Sequence, residues 1–502
     1  MGAHHTGPGT RGLAFREVTL FEQSVPGRCA VDLPACDIDE AEVGAAAALP
    51  DHLVRDEVAG FPECSEPQVM RHFLRLSQWN FGIDSGFYPL GSCTMKYNPK
   101  VNEAAARLDG LAMLHPHQPV DQVQGALQLA FETQQMLGEI AGMDAVSLHP
   151  SAGAQGELCG LMVIRAFHER NGNPRKRVLI PDTAHGTNPA SAVLCGYDVV
   201  EVPSGEDGVL HPDTLAQYLD EDVAALMLTN PNTLGLFEGH IGELAELLHG
   251  VGAQLYMDGA NLNAMMGITR PGDQGVDVMH FNLHKTFSTP HGGGGPGSGP
   301  VGVKAHLAPF LPNPLVVREG DRYVPHGFRQ RPESIGQLRA FLGNFGVVVR
   351  AYTYIRELGA PGLKRVTELA VLNANYVRAR LRGHYPIPYD TTCMHEVVVT
   401  TAGVAPKRAN LDVAKGLIDQ GYHPPTMSFP LVVEDALMIE PTETEALETL
   451  DEFCDAMIEL RQRLDADPEA LHDAPGNTVV RRLDEVTAAR KPVLRWEPDA
   501  GD

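Results

Sequence analysis

The sequence predicts an α/β fold, with a mainly parallel sheet in a large unit that is followed by a smaller α+β unit. Between about residues 145 and 305, short β-rich runs alternate with helix-compatible stretches. This alternation is typical of helices that connect parallel strands. After about residue 335, long helical stretches dominate and strand candidates are few. The change of pattern indicates a second unit with a different topology.

Five runs in the first region are strand candidates, and several are apolar on both faces, as expected for strands that helices cover on both sides. They span 177–181, 197–202, 223–229, 253–257 and 276–281. Helices are predicted over 123–141 and 158–170, where good helix formers carry apolar residues. The second unit shows helical patterns at 336–358, 363–383 and 443–464, with strand candidates at 396–400 and 431–434.

These patterns divide the chain of 502 residues into four regions. We predict an N-terminal arm and site loop over 1–100, a large α/β domain over 101–335, a small α+β domain over 336–465 and a polar tail over 466–502. Segment 81–99 is dense in Gly, Pro, Ser and Asn, which punctuate turns. It is therefore predicted to be an ordered arm or a loop at the site.

Charge and composition exclude several classes of function. The chain has 39 Lys and Arg against 64 Asp and Glu, a formal net charge of −25, whereas nucleic acids and anionic membranes bind clustered positive charge. Hydrophobic residues make up 43% and charged residues 21%, so the chain is not disordered as a whole. The chain contains no run of 18 apolar residues, so no transmembrane helix is predicted. Residues 1–11 lack the apolar stretch of a secretory signal.

The eight cysteines are scattered singly along the chain, without a Cys-x-x-Cys pair or a metal-like Cys/His spacing. A disulfide framework and a structural zinc site are therefore not expected. We predict a reducing environment, the cytoplasm.

A lysine stands at the end of a predicted buried strand, in the segment 281–295. Lys285 is flanked by His284 and followed by a glycine-rich stretch from Gly292 to Gly299. Most lysines are surface residues with an apolar stem. A partly desolvated lysine, however, forms a Schiff base with an aldehyde, and glycines let the backbone approach a ligand and donate N–H groups to an anion.

Other interpretations of this segment are weaker. The His-Gly-Gly-Gly string resembles the oxyanion loop of lipases, but no Gly-x-Ser-x-Gly nucleophile turn occurs in the chain. A phosphate loop of the Walker type needs Gly before the lysine, where His284 stands. A flexible linker rarely follows a buried strand in the middle of a domain.

An acidic residue ends another predicted strand, in the run 256–261. Asp258 lies 27 residues before Lys285, and the carboxyl ends of parallel strands form the ligand crevice of open α/β sheets. Capping of the next helix is its alternative role. In the functional interpretation, Asp258 holds the nitrogen of a pyridine ring protonated, so that the ring accepts electrons.

Three further segments complete the candidate site. Small residues at 149–157 open a predicted helix whose free N–H groups would bind phosphate, although a simple N-cap at Ser151 also explains them. His185 follows a strand and would stack on an aromatic ring, or is an ordinary loop histidine. Asn232 follows the next strand and would reach a ring oxygen.

Five candidate features follow one another along the chain: a phosphate loop, a ring that would stack on the cofactor, a polar Asn, an Asp at a strand end and a Lys at a strand end. That order resembles the aspartate-aminotransferase-like class of pyridoxal-phosphate (PLP) enzymes. Within this class, the chain resembles the P-proteins of the glycine cleavage system over about residues 80–440. The strings that carry the resemblance are PLGSCTMKYNP (89–99), SAGAQGE (151–157), AHGTNPASA (184–192), LTNPNTLGLFE (228–238), DGANLNA (258–264) and NLHKTFSTPHGGGGPG (282–297).

The resemblance implies a function and partners. P-proteins occur as one long chain or as two subunits, and at 502 residues with the lysine present this chain resembles subunit 2, the carboxyl-terminal half. The implied activity is PLP-dependent decarboxylation of glycine, with transfer of the aminomethyl group to the lipoyl arm of the H-protein. Implied partners are subunit 1, the lipoylated H-protein and glycine, without nucleic acid or membrane.

The resemblance also implies roles for particular residues. Lys285 would carry the cofactor, Asp258 would pair with its ring nitrogen and His185 would stack on its ring; these three are the expected catalytic residues. Cofactor contacts are expected from Ser151, Ala152, Gly153, Ala154, Gln155, His185, Asn232, Asp258, Ala260, His284 and Lys285, and no metal is expected.

Alternative functions remain open at this point. One is a stand-alone PLP-dependent amino-acid decarboxylase or aminotransferase. Another is a non-catalytic partner subunit, against which the presence of both Lys285 and Asp258 speaks. The last is an α/β protein of unrelated function.

Overall fold

The computed structural model describes residues 16–35, 37–38, 49–55, 58, 60–295 and 297–496. The prediction for residues 1–11 lies outside the described residues, as do parts of the predicted N-terminal arm, Pro296 of the glycine-rich stretch and the last residues of the tail. None of the helices in the described part of the chain is long and apolar enough to cross a membrane.

Three sheets are built from short strands. The strands are β1 (Ala145–Ser147), β2 (Arg177–Pro181), β3 (Asp198–Val202), β4 (Val223–Thr229), β5 (Gln254–Gly259), β6 (Val278–Phe281), β7 (Val301–Val303), β8 (Leu315–Glu319), β9 (Arg322–His326), β10 (Val397–Thr400), β11 (Thr426–Met427) and β12 (Ala436–Ile439).

Helices connect and cover these strands. The α-helices are α1 (Glu66–Gln78), α2 (Lys100–Ala106), α3 (Asp109–Ala112), α4 (Gln124–Ala141), α5 (Gly153–Arg170), α6 (Thr187–Leu194), α7 (Pro212–Ala216), α8 (Ile241–Gly250), α9 (Phe345–Leu381, broken at Gly359), α10 (Ala409–Asp419), α11 (Leu447–Ala466) and α12 (Glu485–Arg490). Short 3-10 helices span Asp51–Leu53, Val120–Gln122, Leu262–Ala264, Pro271–Gln274 and Ala305–Phe310.

The large sheet has seven strands in the order β1-β7-β6-β5-β4-β2-β3. The pairs β2–β3, β2–β4, β4–β5 and β5–β6 are parallel, and β7 is antiparallel to both of its neighbours. The prediction of an α/β fold with a mainly parallel sheet and a smaller C-terminal domain is confirmed. Strand β7 returns from the glycine-rich stretch, so the segment that contains Lys285 lies between two neighbouring strands.

Helices cover both faces of the large sheet, which explains why its central strands are apolar throughout. Every residue of β4, β5 and β6 is buried. Successive residues of β4 point to opposite faces: Leu226 and Leu228 pack in the core on one side, while Ala225 and Met227 pack in the core on the other. Two apolar layers therefore fix the sheet from both sides.

The smaller sheet is antiparallel, in the order β10-β12-β11. Its core includes Val399, Leu437 and Ile439 from the strands, with Phe453 and Met457 from α11. The C-terminal half of α9 and α10 also pack here. The predicted domain boundaries at 100/101, 335/336 and 465/466 stay predictions.

Two predicted elements are wrong. The helix predicted to begin at residue 336 begins at Phe345, because Gly336 and Gly343 have φ of 93° and 98°, which a right-handed helix excludes. The strand predicted over 431–434 is a turn, and β12 lies just after it. The apolar run Leu431-Val-Val misled the prediction, since Leu431 is 84% exposed.

Candidate active site

A cavity of about 550 Å³ opens at the carboxyl ends of the parallel strands. Such an edge is where open α/β sheets bind their ligands. Residues from the ends of β4, β5 and β6 line one side of it, and the N-terminus of α5 lines another. Residues 90–93 and two residues near β11, Thr426 and Phe429, complete the wall.

Asp258 lies at the centre of this strand edge. In the register of the sheet it stands between Thr229 of β4 and His280 of β6. It is 3% exposed, and its Oδ1 accepts a hydrogen bond from Ala260 N at 2.9 Å and lies 3.2 Å from His280 Nε2. The hydroxyl of Tyr256 lies 2.8 Å from His280 Nδ1. The carboxylate is thus held from behind, and it still lines the cavity.

A second carboxyl group lies beside Asp258. With its amide oriented to donate, Asn188 lies 3.2 Å from both Asp258 Oδ2 and Glu157 Oε2. Glu157 accepts further bonds from Thr187 Oγ1 at 2.9 Å and Ser191 Oγ at 3.3 Å. Burial, and then the charge of Asp258, raise the pKa of Glu157 to about 7. One face of the cavity therefore holds a carboxyl that changes charge near neutral pH.

Sequence reasoning gave Glu157 no role, although it belongs to the quoted 151–157 string. The available signal was helical spacing, because residues 153 and 157 are one turn apart and share a face of α5. His280 was missed as well. Aligning the ends of β5 and β6 would have placed it opposite Asp258.

The N-terminus of α5 points its first residues at the cavity. Ala152, Gly153 and Ala154 line it. The first N–H groups of a helix have no partner within the helix, and those of an 18-residue helix form a site for an anion. Ser151 and Gln155 are not among the lining residues. Ser151 N and Oγ both donate to Gln155 Oε1, at 2.7 and 2.8 Å, and so tie the loop to the helix.

The glycine-rich stretch packs tightly on this helix start. A Cβ on Gly153 would overlap the side-chain oxygen of Asn282, and one on Gly299 would overlap the carbonyl oxygen of Ala152. Gly299 N also donates to Pro150 O at 2.9 Å. Glycine is therefore required here for close backbone approach rather than for flexibility.

Lys285 lines the same cavity as the helix start. It is half-buried, and its Nζ donates to Ser92 O at 2.8 Å. Its neighbour His284 also lines the cavity, with Nδ1 accepting from Ser298 N at 3.2 Å. Burial, and then the charge of Lys285, lower the pKa of His284 to about 3, so this imidazole is neutral. The structure brings Lys285 and Asp258 to one cavity.

His185 also faces this cavity, from the loop after β2. Its Nδ1 lies 2.9 Å from Thr187 Oγ1, and its ring centroid lies 5.7 Å from that of Phe429. Burial lowers the pKa of His185. The ring is therefore mainly neutral and lies at an open cavity face.

Asn232 is not among the residues that line the cavity. Its Nδ2 donates to Gly208 O and to Glu238 Oε1, both at 2.8 Å, and its Oδ1 accepts from Leu234 N and Leu236 N. All groups of this amide are thus used to hold the turn after β4. Thr229 and Thr233 line the cavity at this edge instead.

The loop formed by residues 90–93 was predicted only as a possible site loop. Leu90 pairs with Ile439 of β12, and Thr426 Oγ1 donates to Gly91 O at 2.9 Å. Contacts with the smaller sheet therefore hold the loop against the cavity. Such distant contacts leave no local pattern in the sequence.

The donor set of the cavity fits a phosphorylated pyridine aldehyde such as PLP. Three buried polar atoms on its lining residues have no partner in the part of the chain that the structure describes: Thr229 Oγ1, Asn261 Oδ1 and His291 Nδ1. The anion site at the helix start complements the phosphate, and the primary amine of Lys285 complements the aldehyde. The carboxylate of Asp258 complements the ring nitrogen. The residues present thus offer a partner for the phosphate, the aldehyde and the ring nitrogen of the cofactor.

Comparisons with protein-family models give two matches. The model described as glycine cleavage system P-protein matches residues 48–330. The model described as the C-terminal domain of glycine dehydrogenase matches residues 366–481. Together they cover the strands of all three sheets.

Two bacterial relatives are similar over nearly the whole chain. The probable glycine dehydrogenase (decarboxylating) subunit 2 of Caldanaerobacter subterraneus subsp. tengcongensis is 57% identical over 481 residues, covering 95% of this chain and 98% of the relative. The protein of the same description from Halalkalibacterium halodurans is 56% identical over 485 residues, covering 96% and 98%.

Solved structures show the same fold. A crystal structure of glycine decarboxylase (P-protein) of the glycine cleavage system, in inhibitor-bound form, superposes with a TM-score of 0.72 at 22% identity, over 85% of this chain and all of that chain. An aspartate aminotransferase from Thermus thermophilus superposes with a TM-score of 0.55 at 14% identity, over 75% and 99%.

Proposed function

The chain belongs to the P-protein family of the glycine cleavage system and takes the part of subunit 2 of glycine dehydrogenase (decarboxylating), and we propose that it decarboxylates glycine with PLP held at Lys285. One observation carries the cofactor assignment. The strand-end amine of Lys285, the buried carboxylate of Asp258 and the start of α5 line a single cavity.

We assign the parts of the cofactor to the residues around them. The N–H groups of residues 152–154 would bind the phosphate. Asp258, backed by His280, would hold a proton on the ring nitrogen, and His185 would cover the ring. Ser151, Gln155 and Asn232 would act indirectly, by fixing the loops around the site.

When bound, PLP supplies an electron sink for the electron pair that carbon dioxide leaves behind. Asp258 would stabilise the negative charge that this electron pair brings onto the ring, because its carboxylate is preorganised and almost closed to water. Leu90 and Phe429 narrow the cavity with apolar surface. Glycine offers no side chain to recognise, so selectivity rests on the limited size of this space.

The partners follow from the family. We propose that subunit 1 completes the enzyme, in accord with the name subunit 2 of the relatives. We further propose that the aminomethyl group passes to the lipoyl disulfide of the H-protein, and that the complex works in the cytoplasm. The seven cysteines that the structure describes are free, in keeping with a reducing compartment.

A visible spectrum tests the cofactor assignment. The purified chain, alone and mixed with subunit 1, is expected to bind PLP and to retain it after borohydride reduction, with the added mass on Lys285. Lys285→Ala should lose this adduct, whereas Lys176→Ala, at a side chain that is 73% exposed, should keep it. Retention of the adduct by Lys285→Ala would refute the assignment.

The reaction is tested by glycine–bicarbonate exchange in the presence of subunit 1. Exchange should depend on lipoylated H-protein. Full activity without the lipoyl carrier would instead favour a stand-alone decarboxylase.

A further inference from the structure

Three ionisable groups are completely buried behind the loop formed by residues 90–93. His395 and Glu396 directly precede β10, and Glu440 directly follows β12. Each is 0% exposed. One ring nitrogen of His395, one carboxyl oxygen of Glu396 and one carboxyl oxygen of Glu440 all lie within 4.8 Å of one another. Burial of two acidic groups at such a depth costs free energy, so other interactions must offset that cost.

The two carboxyl groups hold the same short segment. Ser92 N donates to Glu396 Oε2, and Thr94 N donates to Glu440 Oε2, both at 2.8 Å. Ser92 and Thr94 have φ of 59° and 44°, in the left-handed region, which is strained for residues other than glycine. The carbonyl of Ser92 is the group that accepts the bond from Lys285 Nζ. The pair thus fixes a strained segment that in turn fixes the amine.

The charges around the pair indicate one proton between the two carboxyls. Burial raises the pKa of Glu440 to about 7, and burial and then the charge of Glu440 raise that of Glu396 well above its usual range. The cations that face them are Lys285 and Lys96, and Lys96 is already paired with Glu443.

Two neutral neighbours complete the surroundings of the pair. Burial raises the pKa of the Cys93 thiol to about 11 and lowers that of His395 to about 3. Above pH 7 the pair therefore carries about one negative charge. Lys285 Nζ donates to Ser92 O, and another carboxyl that its charge acts on is Glu157, whose pKa is raised to about 7.

A metal ion is the competing occupant of this cluster. In the part of the chain that the structure describes, neither nitrogen of His395 has a hydrogen-bond partner, nor has Glu440 Oε1, and His395 Nε2 lies 3.8 Å from that oxygen. The two ammonium groups that face the cluster would repel a divalent cation, however, whereas they stabilise a singly charged carboxyl pair. The charges favour the proton.

We propose that Glu396 and Glu440 are positioning residues for Lys285: they hold residues 92–94 in place, and through Ser92 O and their negative charge they hold the amine. The proposal rests on the proposed function for the importance of Lys285, but its test does not need the cofactor.

The experiment measures the reactivity of Lys285 in the full chain without PLP. A trace of acetic anhydride is added at each pH from 5.5 to 9, and acetylation of Lys285 is quantified by mass spectrometry relative to exposed Lys176 in the same molecules. In Glu396→Gln/Glu440→Gln, Lys285 should react about tenfold faster than in the natural chain above pH 7, because the negative charge that faces the amine is lost. Below pH 6 the two chains should agree, because the natural pair is then neutral as well.

Single variants sharpen the test. In Glu440→Gln and in Glu396→Gln one carboxyl remains, so the step in Lys285 reactivity should persist, whereas the double variant should lose it. Glu434→Gln is the control, because Glu434 is exposed in the turn just before β12. Its Lys285 reactivity should match that of the natural chain at every pH. Affinity for pyridoxine 5′-phosphate, which has no aldehyde, should stay within about twofold in all variants and so shows that the cavity is intact.

The contrary results are distinct. A ratio that is the same at every pH would mean that the pair acts only through packing, and would overturn the proposal. One equivalent of a divalent metal in the natural chain that is lost in the double variant would also overturn it. Failure of PLP to attach to Lys285 would refute the proposed function, whereas the acetylation result would still decide the role of the pair.

Discussion

Lys96 and Glu443 form an ion pair that is almost closed to solvent: Nζ lies 2.8 Å from Oε1, and the side chains are 1% and 7% exposed. Lys96 also donates to Asn263 Oδ1 at 2.9 Å and to Tyr354 OH at 3.1 Å. The pair joins the segment before α2 to the region between β12 and α11. It therefore ties the segment after the site loop to Asn263, which follows β5, and to the region after β12.

Removal of one partner should be strongly destabilising, because the other charge stays buried. We expect Lys96→Met to lower the free energy of unfolding by about 3–5 kcal/mol. The control is Lys100→Met, since Lys100 and Asp84 form a pair in which both side chains are more than half exposed, worth about 1 kcal/mol or less. Urea unfolding measures both. Equal losses in the two variants would contradict the prediction.

Glu157 should make stability depend on pH. Its pKa is about 7 in the folded chain against a usual value of 4.5, so the folded state binds more protons in this range. Its contribution therefore declines as pH rises from about 4.5 to 7, by at most about 3 kcal/mol. Glu157→Gln should flatten this decline, as measured by urea unfolding of the cofactor-free chain at pH 5 and 8. Glu246→Gln, at an exposed position, should leave the decline unchanged, and an unchanged decline in Glu157→Gln would be contrary.

Asp258→Asn should impair the reaction more than cofactor retention. The phosphate site at the start of α5 is untouched, but the ring nitrogen loses the negative charge that stabilises its proton. Loss of such a preorganised group typically costs about a hundredfold or more in rate. Glycine–bicarbonate exchange and released PLP measure the two effects, with exposed Asp198→Asn as the control. Normal exchange by Asp258→Asn would remove Asp258 from the mechanism.

Gly299→Ala should disturb the helix start at which we propose that the phosphate binds. Its Cβ would overlap Ala152 O, and relief of such a clash costs about 1–3 kcal/mol or more. Gly295→Ala is the matched control from the same stretch, because its Cβ meets nothing within 4 Å. We expect weaker PLP binding and lower stability in Gly299→Ala alone. Equal PLP dissociation constants would argue against tight packing at this point.

The strands that the sequence predicts are those with long apolar runs. The run 223–229 is β4, and every residue of it is buried. Strands β1 and β7 have three residues each, too few to show a pattern, and they pair with each other across more than 150 residues of chain. The hairpin of β8 and β9 is also unpredicted, because half-exposed strands with charged residues look like loops.

For the site, the sequence predicts the side chains that meet because parallel strands end at a common edge of the sheet. Lys285 and Asp258 follow strands of one sheet, so their approach to a common edge needs only the topology. Glu396 and Glu440 reach the loop at Ser92 across more than 300 residues. Their contribution depends on how the smaller sheet docks, which no local spacing encodes.

The wall of the cavity is completed by Thr426 and Phe429, far along the chain from the strand edge that they face. During synthesis, a ribosome that has released only the first 330 residues has made the whole large sheet and the amine at position 285, but no closing wall. A chain that ended there would leave the proposed cofactor site open to water on the side that Thr426 and Phe429 close.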